Sequence, residues 1–220
     1  MNTLVKQLFT HVVWVLLVLP LSLQAANIEE SEHYIDLKEA VSTGAEGSVE
    51  VIELFSYACP HCYKFDPQVE HWLANKPDYI QFQRMPVVFR KSWKPLAKAY
   101  YALDQLDALE KGHTAIFNAL HVKKKNIKTD EQMLEFLTET LAMPAEDIKK
   151  VYGSFVTGTK VSKGDNIARK VSVKYQKWGV PAMLVQGRYL VLGGLPGYQD
   201  GSVKIFDTVE FLAKKHHSAE

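Results

Sequence analysis

Cys59-Pro60-His61-Cys62 is the segment of the 220-residue chain whose residue types and spacing point most directly to chemistry, and the chain has only 2 cysteines. Four chemistries use such a pair. A c-type haem site needs His directly after the second Cys, and Tyr63 stands there. Zinc needs further thiolates or a second ligand pair at metal spacing, and the sequence has neither, although His33 and His71 could be recruited in principle. No metal and no cofactor is therefore expected. A purely structural disulfide is the third reading. Closing a four-residue loop constrains the unfolded chain by only about 2 kcal/mol, so it would be a poor staple. The fourth is redox catalysis.

The surrounding elements favour that last reading. Val49 to Tyr57 carries β-branched and aromatic residues on both faces, as the central strand of a covered sheet does. Pro60 suits the first turn of a helix, where its missing N–H costs nothing. Phe65, Val69, Trp72 and Leu73 then recur at helical spacing until Asn75 to Pro77. Cys59 becomes the helix N-cap, its sulfur near unsatisfied N–H groups and the positive end of the macrodipole. Both favour the thiolate, and a protonated His61 would add to the effect. Cys62 lies one turn deeper and is shielded. Cys59 is thus the attacking sulfur and Cys62 its resolving partner.

Tyr79 to Met85 reads as the next strand, completing a strand–helix–strand unit. From Ser92 to Trp178 the pattern turns helical. Leu96, Ala99, Tyr100 and Leu103 form one apolar stripe, and Ile116, Phe117 and Leu120 a second. Thr129 caps a third helix, Pro144 opens a fourth, and a last one runs from about Ser162 to Lys177. Ala182 to Val185, a Gln186-Gly187 turn and Arg188 to Leu192 give a hairpin. A loop to Gly201 and an amphipathic helix from Val203 to Lys214 close the chain. The class is α/β: residues 26–91 and 180–220 form a small layer, interrupted by an all-helical insertion at 92–179.

Composition is that of an ordinary globular chain, with 47% hydrophobic and 23% charged residues, which excludes wholesale disorder. Lys plus Arg number 26 against 25 Asp plus Glu, so no polyanion footprint exists and nucleic acid is not an expected partner. Residues 1–26 contain Lys6, the apolar run Val12 to Leu19, then Pro20 and small residues at Ala25-Ala26. That is the form of a cleaved signal peptide, and the run is too short for a membrane span. The mature chain is expected outside the cytosol, where close cysteines tend to pair.

Glu53 to Tyr63 and Gly179-Val180-Pro181-Ala182-Met183 resemble the DsbA family, periplasmic thiol:disulfide oxidoreductases of Gram-negative bacteria. Pro60-His61 is the dipeptide typical of that family, and the helical block extends the likeness over essentially the whole mature chain. The resemblance implies a thioredoxin fold with an inserted helical domain. It implies a cis Val180–Pro181 bond that turns the Val180 backbone toward the cysteines, where an extended substrate strand could pair with it. It implies that Glu53 is buried beneath the cysteines, with a raised pKa suited to relaying a proton for Cys62. Arg84, on the core-side parity of Ile80 and Phe82, could partner Glu53. A structural ion pair is the alternative for these two, and Asp66 is expected to be an exposed helix acid. In that family the reduced form is the stabilised one, which makes the disulfide a strong oxidant. The implied substrates are reduced, unfolded secreted proteins, the implied re-oxidant a DsbB-type quinone-linked inner-membrane oxidase, and the implied state a periplasmic monomer. An isomerase or reductase on the same fold, and a chaperone with an inert disulfide, are the rival functions.

Overall fold

The computed structural model describes residues 27–41, 49–199 and 201–218. The expected signal segment, 1–25, lies outside the described residues. Among the described residues five strands form one sheet: β1 (Ile35–Asp36), β2 (Val49–Phe55), β3 (Ile80–Pro86), β4 (Ala182–Val185) and β5 (Tyr189–Leu192). Their order is β1-β5-β4-β2-β3. Only β2 and β3 run parallel, because a helix crosses between them, whereas β4 and β5 are a hairpin. Its three-residue connection, Gln186 to Arg188, holds Gln186 and Gly187 at φ 51° and 61°, and the Arg188 N–H closes the turn on the Val185 carbonyl at 3.0 Å.

All seven residues of β2 are buried, since both faces of the sheet are covered. On one face α1 (Pro60–Leu73) and α7 (Ile205–His217) pack Phe65, Val69, Trp72 and Leu212 over Val49, Val51 and Val185. The other face meets the long helix α6 (Phe155–Lys174), through Ile167, Ala168 and Val171 against Ile52, Leu54 and Leu184. Gly164 lets that helix approach: a Cβ there would lie 2.9 Å from the Pro86 carbonyl oxygen. Helices α2 (Lys94–Gln105), α3 (Leu109–His121), α4 (Asp130–Leu141) and α5 (Ala145–Tyr152) build a third core. That core runs directly onto Phe55, Tyr57, Cys59 and Cys62.

The structure departs from expectation by a residue or two at several element ends and more clearly at β1, β2 and α6. The short strand β1 had no periodicity to reveal it. Its place on β5 is held by a two-pronged ion pair of Arg188 with Asp36, both contacts at 2.9 Å. Strand β2 stops at Phe55, two residues early, and Tyr57 belongs to the turn that follows. Helix α6 begins at Phe155 rather than near Ser162, because the Ser154 hydroxyl accepts from the Thr157 N–H as its N-cap. Phe155 and Val156 are exposed there, which hides the helical stripe. Thr129 does cap α4, exchanging side-chain and backbone hydrogen bonds with Gln132.

Candidate active site

The strand–helix corner after β2 is built from short local bonds. The Cys59 N–H donates to the Ser56 carbonyl at 3.0 Å, and the Tyr63 N–H to the Cys59 carbonyl at 3.1 Å. Cys59 takes extended φ/ψ (−89°, 118°) as N-cap, and Pro60 fills the first helical position. Both cysteines are free thiols, so this is the dithiol form. Cys59 is 8% exposed and Cys62 is wholly buried. The Val180–Pro181 bond is cis, and the Val180 carbonyl accepts the Cys59 thiol at 3.3 Å. Val180 thus meets the Cys59 sulfur directly, and His61, Val180 and Pro181 line one groove.

That sulfur is acidic. A hydrogen bond from the Cys62 thiol pulls the Cys59 pKa down to about 5 against the opposing effect of burial. The N–H groups of Cys62 and His61 and the His61 charge add to the pull. Cys62 moves strongly upward, first through the same Cys59 contact and then through burial. The two sulfurs share one favourable anion, placed on the outer member of the pair.

Beneath them lies a buried polar chain. Glu53, 2% exposed, accepts from Arg84 Nε at 2.9 Å, across paired register positions of β2 and β3. Burial pushes Glu53 up to about 7 despite the guanidinium, and its charge is felt at Cys62. Arg84 also donates to Asp66 at 3.0 Å and Glu70 at 2.8 Å.

The expectation for Asp66 is corrected here. Its side chain is only 15% exposed, because Arg84 reaches it from the sheet and α3 closes over it. Its Oδ1 also accepts from His113 Nε2 at 3.0 Å, which leaves Nδ1 to accept the buried Tyr57 hydroxyl at 2.7 Å. Burial lowers the His113 pKa, with Asp66 opposing. A second histidine of α3, His121, donates from Nε2 to the Tyr57 carbonyl at 2.7 Å and stacks on Tyr63. Helix α3 therefore grips Tyr57, two residues before the nucleophile, by both ring and backbone. Nothing near the cysteines in sequence announced these histidines. The one available signal was His113, Phe117 and His121 recurring every four residues on one helix face.

Asp66→Ala removes the acceptor of two buried donors, so it should destabilise the protein by roughly 2–4 kcal/mol. Asp66→Asn keeps an acceptor oxygen and should lose clearly less. Urea melts of both variants make the comparison, and equal losses would contradict this network.

Residues 50–200 match the DSBA-like thioredoxin domain as a family. The chain belongs to that family. Among curated relatives, "Thiol:disulfide interchange protein DsbA" of Azotobacter vinelandii is 34% identical over 199 residues, covering 90% of this chain and 89% of that one. The protein of the same name from Pseudomonas aeruginosa strain PAO1 is 31% identical over 196 residues, 89% of each. The crystal structure of Pseudomonas aeruginosa DsbA superposes with a TM-score of 0.71 at 30% identity, covering 86% of this chain and 94% of that one. A crystal structure of a point variant of the same protein gives 0.75 at 28%, covering 87% and 100%. The DsbA family is thus reached from sequence, from relatives and from fold, and the fold is the expected thioredoxin type.

Proposed function

We propose that this protein is a thiol:disulfide oxidoreductase that donates a Cys59–Cys62 disulfide to reduced, newly exported proteins. One observation carries the reading: an acidic Cys59 thiol at a helix start, against the Val180 carbonyl, over a buried Cys62. A substrate thiolate attacks Sγ of Cys59, the Cys59–Cys62 bond breaks, and Cys62 leaves as a thiolate that takes a proton. Glu53, with its pKa near 7, is suited to supply that proton. A second substrate thiolate then attacks the substrate sulfur of the mixed disulfide. Cys59 leaves as its stabilised thiolate, which speeds exchange. Two electrons have moved from substrate to protein, and the products are a substrate disulfide and the dithiol described above. The Val180 backbone would align the substrate strand, with Pro60 and His61 shaping the approach and Arg84 holding Glu53.

In this reading the chain works in the periplasm as a monomer after loss of residues 1–25. A DsbB-type quinone-linked oxidase restores its disulfide. Residues 92–179 form the helical insertion, whose α3 braces the catalytic corner.

The test mixes oxidised protein with a reduced, unfolded two-cysteine peptide. One peptide disulfide should form per protein oxidised, and Cys59→Ser should form none. Absence of peptide oxidation by the unaltered protein would leave only a binding module with an inert disulfide. Glu53→Gln should slow the step that releases Cys62 and remove a transition near pH 7 from its rate profile. An unchanged profile across pH 5–8, followed by quenched mass analysis, would reduce Glu53 to a structural ion-pair member.

A further inference from the structure

Beside Val180 and Pro181 lies a groove of about 560 Å³. Its floor is apolar, with Phe65, Leu192, Leu195 and Ile205. Its charge is one-sided. Lys64 of α1 and Lys177 of the segment before Val180 line it together with His61, and no Asp or Glu among the described residues does. The imbalance is local, since the chain's net charge is only +1. Some surface lysines are neutralised by acidic partners, Lys38 by Glu30, Lys160 by Asp104 and Lys174 by Glu39. Among the described residues, Lys64 and Lys177 make no such pair.

Two cations without acidic partners thus line an apolar-floored groove beside Val180 and Pro181. We infer that the groove selects cysteine segments flanked by Asp or Glu, so that acidic-flanked thiols are the preferred substrates. The inference rests on the oxidoreductase reading and adds a substrate class to it. An acidic side chain on either side of the incoming cysteine would meet Lys64 or Lys177 as the segment settles. A basic one would meet like charge. Exposed pairs are individually weak, so discrimination between acidic and basic flanks should be about three- to thirtyfold. Most of it belongs to the rate of productive encounter, and salt screens it.

The experiment uses three single-cysteine peptides of one length, with Glu, Gln or Lys flanking the cysteine on both sides. Acidic neighbours also raise a thiol's own pKa, which slows its attack. Each rate with oxidised protein is therefore divided by the same peptide's rate with uncharged hydroxyethyl disulfide. The expected order is Glu, then Gln, then Lys, converging at high salt. The double variant Lys64→Glu/Lys177→Glu should reverse it, and Lys64→Gln/Lys177→Gln should flatten it. Equal normalised rates at low salt, or an order unmoved by salt and by both variants, would overturn the selection. The Gln peptide separates the two claims. Its oxidation with a flat order sinks only the charge preference, whereas no reaction with any peptide sinks the oxidoreductase reading itself.

Discussion

At pH 6, an alkylating agent should modify Cys59 of the reduced protein on the order of a thousand times faster than Cys62. With a pKa near 5, about nine-tenths of Cys59 is thiolate at that pH, against well under a hundredth for a thiol with a raised pKa. A low-pKa thiolate is also a weaker nucleophile. With a Brønsted slope of about 0.4–0.5, the net gain from protonation state falls to roughly tenfold. Burial supplies the rest. Cys62 is wholly buried, and exposing it by local opening at about 2–3 kcal/mol slows it by a further factor of roughly 30–150. Mass mapping after brief treatment reads the outcome. Modification of Cys62 first, or of neither sulfur, would contradict the assignment of Cys59 as the attacking group.

The reduced protein should also be more stable than the oxidised one above about pH 6.5. The disulfide constrains the unfolded chain by about 2 kcal/mol, independent of pH. Opposing it, folding lowers the Cys59 pKa from about 8.5 to about 5, and each unit is worth about 1.4 kcal/mol. A depressed folded pKa stabilises the folded dithiol in full above the unfolded value and loses that contribution as pH falls through the folded one. The contribution is about 2.7 kcal/mol at pH 7 and over 4 kcal/mol at pH 8.5, so it overtakes the crosslink near pH 6.5. The raised pKa of Cys62 acts in the opposite sense, but only above about pH 8.5, where an unfolded thiol would ionise. Paired denaturant melts of the two redox forms at pH 5, 7 and 8 should cross. A more stable oxidised form at pH 8 would remove the basis for oxidising power.

What was legible in the sequence was what local rules encode. The covered strand, the Pro60 helix start, the Gln186-Gly187 turn and the Thr129 cap each depend on neighbours within a few residues, and each is present, the strand ending two residues early. The pairing of Glu53 with Arg84 was accessible through strand parity, because side chains alternate with period two. The environment of Asp66 was not. Its partners lie 18 and 47 residues away, on a strand and on a helix of a different packing layer, and no local pattern carries that information. The same holds for β1, whose two residues are strand only because Arg188 and β5 receive them. Likewise, exposed Phe155 and Val156 broke the apolar period that marks a helix start, and the weaker Ser154 cap signal decided the boundary.

Folding should make this cysteine pair a better oxidant than the same two cysteines are in the unfolded chain. The measurement is the equilibrium of the protein with reduced and oxidised glutathione at pH 7 and 8.5, for the native chain and for the chain unfolded in urea. By the thermodynamic cycle, the redox equilibrium shifts by the stability difference of the two forms. The folded disulfide should therefore be reduced severalfold more readily than the unfolded one at pH 7, and by well over tenfold at pH 8.5. A folded disulfide that resists glutathione as well as the unfolded one, or better, would contradict the account.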